Sequence, residues 1–188
     1  MNSRNFERSS EGITFFLAFV SCIPTANWLI DNVGTACVPQ GPCLIPVAPG
    51  IMAPSGVLMV GLALVLRDLV QRRLGRRWSL IAIAAGALVS AAFAPPSLLF
   101  ASSAAFLLSE LADYAVYTPL QRRGLVRAVF ASATAALVID SIVFLWIAFG
   151  SLNFLGGQII GKAWMVLLAL PAVSYLRDRD RRLGILPA

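Results

Sequence analysis

The sequence predicts an all-α membrane protein, a single bundle of six transmembrane helices over residues 1–188. Two observations lead to this prediction. The chain is 59% hydrophobic and 13% charged, with a mean hydropathy of +0.81, whereas soluble domains are about half apolar and a quarter charged. The apolar residues also fall into six runs, each close to the roughly 20 residues that a bilayer requires. A chain of this length then leaves no room for a separate soluble domain.

The six predicted spans follow one another with mostly short connections. They cover residues 13–30, 54–74, 78–94, 97–119, 126–149 and 158–176. Pro54 would occupy the first turn of the second span, where a missing N–H costs little. The third span is rich in Ala and Gly, which suits close helix packing in lipid, and Pro95 follows it. Residues 1–12 are predicted to form a polar tail, and residues 31–53, rich in Pro and Gly, a loop.

The arginines predict the orientation of the bundle. With six spans they all fall in segments on one side of the membrane, so the positive-inside rule places both termini in the cytoplasm. These residues are Arg4, Arg8, Arg67, Arg72, Arg73, Arg76, Arg77, Arg122, Arg123, Arg127, Arg177, Arg179, Arg181 and Arg182. The net charge of +6 is therefore interpreted as a topology signal. The lipid bilayer is the expected partner, and nucleic acid is not.

Several classes of chemistry are excluded or made improbable by composition. The chain has no histidine, which removes histidine relays, histidine metal sites and Ser-His-Asp triads. We therefore expect no metal, no cofactor and no enzymatic activity. Cys37 and Cys43 lie six residues apart in the outward loop, and they are either a disulfide, as an oxidising exterior allows, or two free thiols. Cys22 is expected to be a small core residue.

Four charged residues interrupt the apolar runs of the last three spans. Glu110 and Asp113 are three residues apart and share one helical face, Asp140 lies deep in the fifth span, and Lys162 lies early in the sixth. One ionisable group within a span costs roughly 2.5–3.5 kcal/mol, so such groups commonly mark a pathway or a binding site. The structural alternative is that they hold helices together. For Lys162 the alternative is a side chain that reaches the outer headgroups.

The second span contributes a further acid, Asp68. Arg67 is adjacent to it, so the two side chains point in different directions and need not pair, whereas Arg72 is four residues away and could pair along the helix. We expect Arg72 and Arg73 to be interfacial anchors. In the first span, Asn27 is a candidate polar contact, and Trp28 beside it is a candidate for stacking on a flat ligand, with aromatic-belt anchoring as its alternative.

The order of these features resembles the bacterial queuosine-precursor transporter family. The features are Thr25-Ala26-Asn27 late in the first span, Asp68 late in the second, Glu110-x-x-Asp113 followed by Tyr114 in the fourth, Asp140 before an Ile-Val-Phe-x-x-Ile-Ala-Phe run, and Lys162 ahead of Pro171. The family is also described as vitamin-uptake-transporter-like, and its six-span bundles are similar to the substrate-binding subunits of energy-coupling-factor importers. The resemblance extends from about Thr25 to Pro171. Glu110 departs from it, because a Gln is expected there, and the loop 31–53 is unusual.

The resemblance implies import of 7-cyano-7-deazaguanine or its 7-aminomethyl relative across the bacterial inner membrane. A deazaguanine presents two adjacent donors that one carboxylate can accept together. Asp140 or Glu110 is therefore predicted to read the base edge, and Asn27 to donate to its carbonyl. Trp28 or Tyr114 is predicted to stack on the ring. Asp68 matches a polar position of the family, and Asp113 and Lys162 are predicted to shape the local charge.

The coupling of transport to energy stays open. The chain has no Gly-rich Lys motif for nucleotide binding, so uptake could be facilitated, proton-linked or driven by a separate energising module, and a homodimer is also open. Two rival classes of protein are also open. A membrane enzyme acting on lipid-linked phosphates would need a dense acidic cluster for Mg²⁺, and a non-transporting scaffold would use the buried charges to pair helices.

Overall fold

A computed structural model describes residues 3–37, 42–94, 96 and 98–185, with only the backbone of residues 3–7. The side chain of Arg4 lies outside this description. Residue 95 and residue 97, at the predicted junction of the third and fourth spans, lie outside it as well.

The described residues form six helices and one small sheet. The helices are α1 (Ser3–Asn32), α2 (Val57–Leu74), α3 (Arg76–Phe93), α4 (Leu99–Leu120), α5 (Leu125–Phe149) and α6 (Leu155–Leu183), and the strands are β1 (Ala36–Cys37), β2 (Cys43–Ala48) and β3 (Ile51–Pro54). Each predicted span corresponds to one helix. The first and last helices extend well beyond the predicted spans, because residues 3–12 and 177–183 are polar but continue the helix.

The predicted loop between the first two spans contains the sheet, so the all-α prediction is incomplete. The order is β1-β2-β3 with antiparallel pairing, and β2 pairs with β3 through an irregular register between Pro46 and Ala48. Cys37 pairs with Cys43 across β1 and β2, and the two form a disulfide. Pro54 is the last residue of β3 instead of part of the second helix. The Pro and Gly residues that predicted a loop here mark the turns and edges of short strands.

Helix α2 packs against all five other helices of the described chain. It lies between α1 and α6 and also contacts α3, α4 and α5. In the rest of the bundle, α1 packs against α3, α3 against α4, α4 against α5, and α5 against α6. Its second half, from Val65 to Arg73, is buried with the exception of Leu66. The sheet covers the opposite end of the bundle, where it contacts α1 and α6.

The surface of the bundle is apolar and its interior is charged. Leu88, Phe100 and Leu168 are 73%, 73% and 68% exposed, whereas Arg67 and Asp68 on α2 are fully buried. This is the reverse of the distribution in a soluble protein and suits a bundle surrounded by lipid.

Five of the described helices are long and apolar enough to cross a membrane. They are α1 from Arg8 onward, α3, α4, α5 and α6. Helix α2 differs because Arg67, Asp68, Arg72 and Arg73 lie in its second half. The fold is thus a multi-pass helical membrane bundle, and six crossings remain a prediction.

The ends of α1, α2 and α6 are joined by a network of ion pairs. Asp180 is buried and contacts both Arg72 (2.6 Å) and Arg73 (2.9 Å). Glu11 bridges Arg73 (2.8 Å) and Arg179 (2.6 Å). The start of α1 and the end of α6 therefore lie at the same end of the bundle. Arg72 and Arg73 are buried in this network and pair with Asp180 inside the protein, and their position at the membrane interface stays a prediction.

Two glycines allow α6 to lie close to α2 and to β3. A Cβ on Gly61 would collide with the backbone carbonyl of Lys162, and a Cβ on Gly157 would collide with the carbonyl of Met52. Backbone atoms cannot rotate out of the way, so the spacing of α2, α6 and β3 depends on the absence of these side chains.

We predict that Gly61→Ala destabilises the bundle by about 1–3 kcal/mol, the usual cost of overpacking. Thermal unfolding of detergent-purified protein measures the effect. Gly156→Ala on α6 is the matched control, because nothing lies within 4 Å of a Cβ at that position. Equal stability of the two variants would contradict the close contact.

Candidate functional site

Arg67 lies at the centre of a buried cluster of three acids, Asp68, Glu110 and Asp113. Its Nη2 atom is 2.8 Å from Asp68 Oδ1 and 2.9 Å from Asp113 Oδ1, and its Nε atom is 3.3 Å from Glu110 Oε2. All four side chains are at most 2% exposed. The cluster therefore joins α2 to α4 by charge in the interior of the bundle. The three-residue spacing that places Glu110 and Asp113 on one face of α4 allows both to reach the same guanidinium.

The remaining donor nitrogen of Arg67 binds neutral partners. Its Nη1 atom donates to Gln71 Oε1 (3.1 Å) and to Ser79 Oγ on α3 (3.3 Å), and the guanidinium lies over the ring of Tyr117, 5.7 Å from its centroid. All three nitrogens of Arg67 are therefore in contact with polar groups. Together these nitrogens carry the five N–H donors of a guanidinium.

Asp68 is held from two sides. Besides its contact with Arg67, its Oδ2 atom accepts a hydrogen bond from Ser132 on α5 (2.8 Å). Adjacent residues need not pair, but Arg67 and Asp68 do pair here, because the long arginine side chain turns back toward its neighbour. The alternative pair of Asp68 with Arg72 is not formed, since Arg72 binds Asp180.

A second charged pair connects α5 and α6. Lys162 Nζ lies 2.5 Å from Asp140 Oδ2 and donates to Ser141 Oγ (2.8 Å), while Ser109 Oγ on α4 donates to Asp140 Oδ1 (3.4 Å). Lys162 is buried and does not extend to the outer surface. The Asp140 side chain is 13% exposed, more than any acid of the Arg67 cluster. Ser109 precedes Glu110 on α4, so the two charged groups are neighbours in the interior.

Asn27, Trp28 and Tyr114 are not joined to these groups. The Asn27 amide donates to the carbonyl of Ile23 on its own helix (3.0 Å), and Trp28 is 57% exposed. Tyr114 is half-buried. Within the described residues, none of the three makes a hydrogen bond or ion pair with the buried acids. The predicted stacking position of Trp28 is therefore not formed in this conformation, because its side chain points out of the bundle.

The described part of the chain contains no group of three or more Asp, Glu, Cys or His side chains arranged to hold a metal ion. Asp68 and Asp113 both contact Nη2 of Arg67 and Glu110 contacts its Nε, so the guanidinium itself occupies the space between the three acids. The arrangement can accept hydrogen bonds and compensate positive charge.

These features define a class of protein: a multi-pass helical membrane protein with a charged interior. Residues 90–176 match a family model described as "Putative vitamin uptake transporter", so this part of the chain is similar to vitamin uptake transporters. No curated protein matches the chain, and no solved structure does.

The matched segment contains most of the buried acids and their lysine. It includes α4, α5 and α6 as far as residue 176, and with them Glu110, Asp113, Asp140 and Lys162. Arg67 and Asp68 lie outside it, on α2. Four of these six interior charged residues therefore lie in the segment that is similar to the family, and two lie on α2.

Sequence reasoning missed Arg67 as a site residue. It was grouped with the arginines of the cytoplasmic loops because Arg72 and Arg73 follow in the same segment. A signal was present: Arg67 is five residues before Arg72, which places it about 7.5 Å deeper along a helix. Tyr117 and Ser132, which contact Arg67 and Asp68, gave no signal, since neither is charged.

We predict that Arg67→Met prevents stable folding, whereas Asp113→Asn is tolerated. Removal of Arg67 leaves three buried acids without a counter-charge, and breaking a buried pair from one side costs about 3–5 kcal/mol. Removal of one of three acids leaves Arg67 with two partners. Thermal unfolding of the purified variants in detergent measures which of the two is less stable.

Arg177→Met is the control, because Arg177 pairs with its neighbour Asp178 at the partly exposed end of α6 and such pairs contribute little. If Arg67→Met proved as stable as this control, the cluster would not be a structural requirement.

Proposed function

We propose that this protein is an importer of the bacterial inner membrane that carries a queuosine precursor, 7-cyano-7-deazaguanine or 7-aminomethyl-7-deazaguanine. The observation that carries the proposal is the continuous set of buried acids on α2, α4 and α5. A carboxylate accepts the ring N–H and the exocyclic amine of a deazaguanine together, and such charge-assisted bonds are strong. The similarity of residues 90–176 to vitamin uptake transporters supports transport of a small molecule.

Asp140 and Glu110 are the proposed readers of the base edge. Asp140 is the most accessible of the interior acids, and Ser109 on the same helical turn as Glu110 contacts it (3.4 Å). In this structure Asp140 forms an ion pair with Lys162, and Glu110 forms one with Arg67. A guest must therefore replace these contacts with donors of its own, which favours a donor-rich molecule over an apolar one.

The proposed contacts of the guest with Asn27, Trp28 and Tyr114 require α1 and α4 to rearrange when the guest binds. Asn27 would exchange its bond to Ile23 for the guest carbonyl, and Trp28 or Tyr114 would turn toward the ring. Asp68 would act through Arg67 and Ser132 by holding the cluster in place.

A second candidate function is uptake of another small vitamin or purine-like compound, alone or as the substrate-binding subunit of an energised importer. The description of the matching family favours this candidate, since it names vitamins as a class. A non-transporting scaffold is the remaining alternative, favoured by the direct pairing of the interior charges.

The transport proposal predicts that Asp140→Asn and Glu110→Gln each weaken binding of both deazaguanines about tenfold to a hundredfold. Each substitution replaces a hydrogen bond to a charged group, which contributes about 1.5–3 kcal/mol. Uptake of labelled compound into proteoliposomes, with binding to detergent-purified protein, is the measurement.

Asp178→Asn is the matched control, because Asp178 is an acid of the same chain at the partly exposed end of α6. Wild-type affinity in both interior variants would rule out Asp140 and Glu110 as the residues that bind the base edge. No uptake by the wild-type protein would rule out the proposed substrate.

We also propose that the end of the bundle holding Glu11, Arg73, Arg179 and Asp180 faces the cytoplasm. Both helix ends that approach the chain termini lie there, and the arginines of the positive-inside rule accumulate at that end. A green fluorescent reporter fused to the C-terminus should fluoresce, and an alkaline phosphatase fusion at the same point should be inactive. The reverse pair of results would invert the orientation.

A further inference from the structure

The interior acids outnumber the interior bases, and the excess is confined to the Arg67 cluster. Lys162 and Asp140 form a balanced pair (2.5 Å). Arg67 alone faces Asp68, Glu110 and Asp113, which leaves an excess of two carboxylates in a region that water and lipid do not reach. Uncompensated charge in such a place is costly, so the excess is compensated either by protons on the carboxyl groups or by positive charge from elsewhere.

The same cluster contains buried polar atoms without a hydrogen-bond partner. Asp113 Oδ1 forms an ion pair with Arg67 Nη2 (2.9 Å), whereas Asp113 Oδ2 accepts no hydrogen bond from the described residues. The hydroxyl of Tyr117, whose ring lies under Arg67, also has no partner there. Buried polar groups of this kind are rare and usually mark a missing partner. Unpaired acceptors beside excess negative charge are what a cationic donor would satisfy.

We propose that the Arg67 cluster binds the protonated amine of a cationic guest, with the ammonium group beside Asp113, so that Glu110 and Asp140 stay available for the base edge. An ammonium brings a positive charge, which offsets the excess of carboxylates, and up to three donors, which can bind the acceptors that lack a partner. The balanced Lys162–Asp140 pair would face the uncharged part of the same guest, because Lys162 repels a second cation. The inference rests on the proposed function only in taking the interior to be a guest site.

The proposal predicts a preference between closely matched ligands that differ in one ammonium group. Of the two queuosine precursors, the 7-aminomethyl compound carries a primary amine that is protonated at pH 7, as a lysine side chain is, and the 7-cyano compound is neutral. Pyridoxamine and pyridoxine form a second pair, an aminomethyl against a hydroxymethyl group. In each pair whose members bind, the compound that carries the amine should bind at least about tenfold more tightly than the compound that lacks it.

Binding is measured by calorimetry and thermal shift on the purified full chain in detergent, at pH 7 in potassium phosphate, which contains no competing amine. Glu110→Gln and Asp113→Asn each remove one excess carboxylate. Both should reduce the preference for the amine, and either variant suffices if the other fails to fold. Asp178→Asn, outside the cluster, should leave the preference unchanged.

The outcomes separate this inference from the proposed substrate. Equal or tighter binding of the 7-cyano compound would overturn the cation site and leave the importer standing, with protons as the compensating charge. Binding of pyridoxamine over pyridoxine, with neither deazaguanine bound, would support the cation site and remove the queuosine precursor. Absence of binding by all four compounds would overturn both. A preference for the amine that persists unchanged in the Glu110 and Asp113 variants would overturn the cation site alone.

Discussion

The contact between Arg67 and the acids around it is the interaction on which this bundle depends. One guanidinium on α2 reaches Asp113 and Glu110 on α4 and Ser79 on α3, and through Asp68 it is connected to Ser132 on α5. Four helices thus share one charged centre in a medium where charge is expensive to isolate. Because α2 packs against every other helix, a shift of this centre would be transmitted through the whole bundle.

The interior is arranged as layers along the bundle. The disulfide-linked sheet covers one end, the Lys162–Asp140 pair follows, then the Arg67 cluster, and the network around Asp180 closes the other end. The middle two layers differ in one respect that matters for a transporter: the first is balanced in charge and the second is not. A neutral amide in place of one of these acids would still hydrogen-bond to Arg67, although less strongly than a carboxylate.

How much of this was readable from the sequence varied with the kind of interaction. The six helical segments were predicted because apolar run length and Gly or Pro boundaries are local properties. The buried acids were predicted because a charge within an apolar run is visible in the sequence itself. The sheet at residues 36–54 was missed, since strands of two to six residues rich in proline look like a loop until their pairing is known. Trp28 was assigned a stacking role from its neighbour Asn27, but the rotation of α1 decides that it points outward.

The sequence by itself determined that the chain is a multi-pass helical bundle with ionisable groups inside it, because hydropathy and charge are properties of single residues and their immediate neighbours. Only the tertiary structure decided which charges meet. Arg67 joins three acids, Lys162 takes Asp140 alone, and Arg72 and Arg73 turn to Asp180, more than a hundred residues away. These partnerships follow from the rotation and spacing of packed helices, which small residues such as Gly61 permit, and no local pattern encodes them.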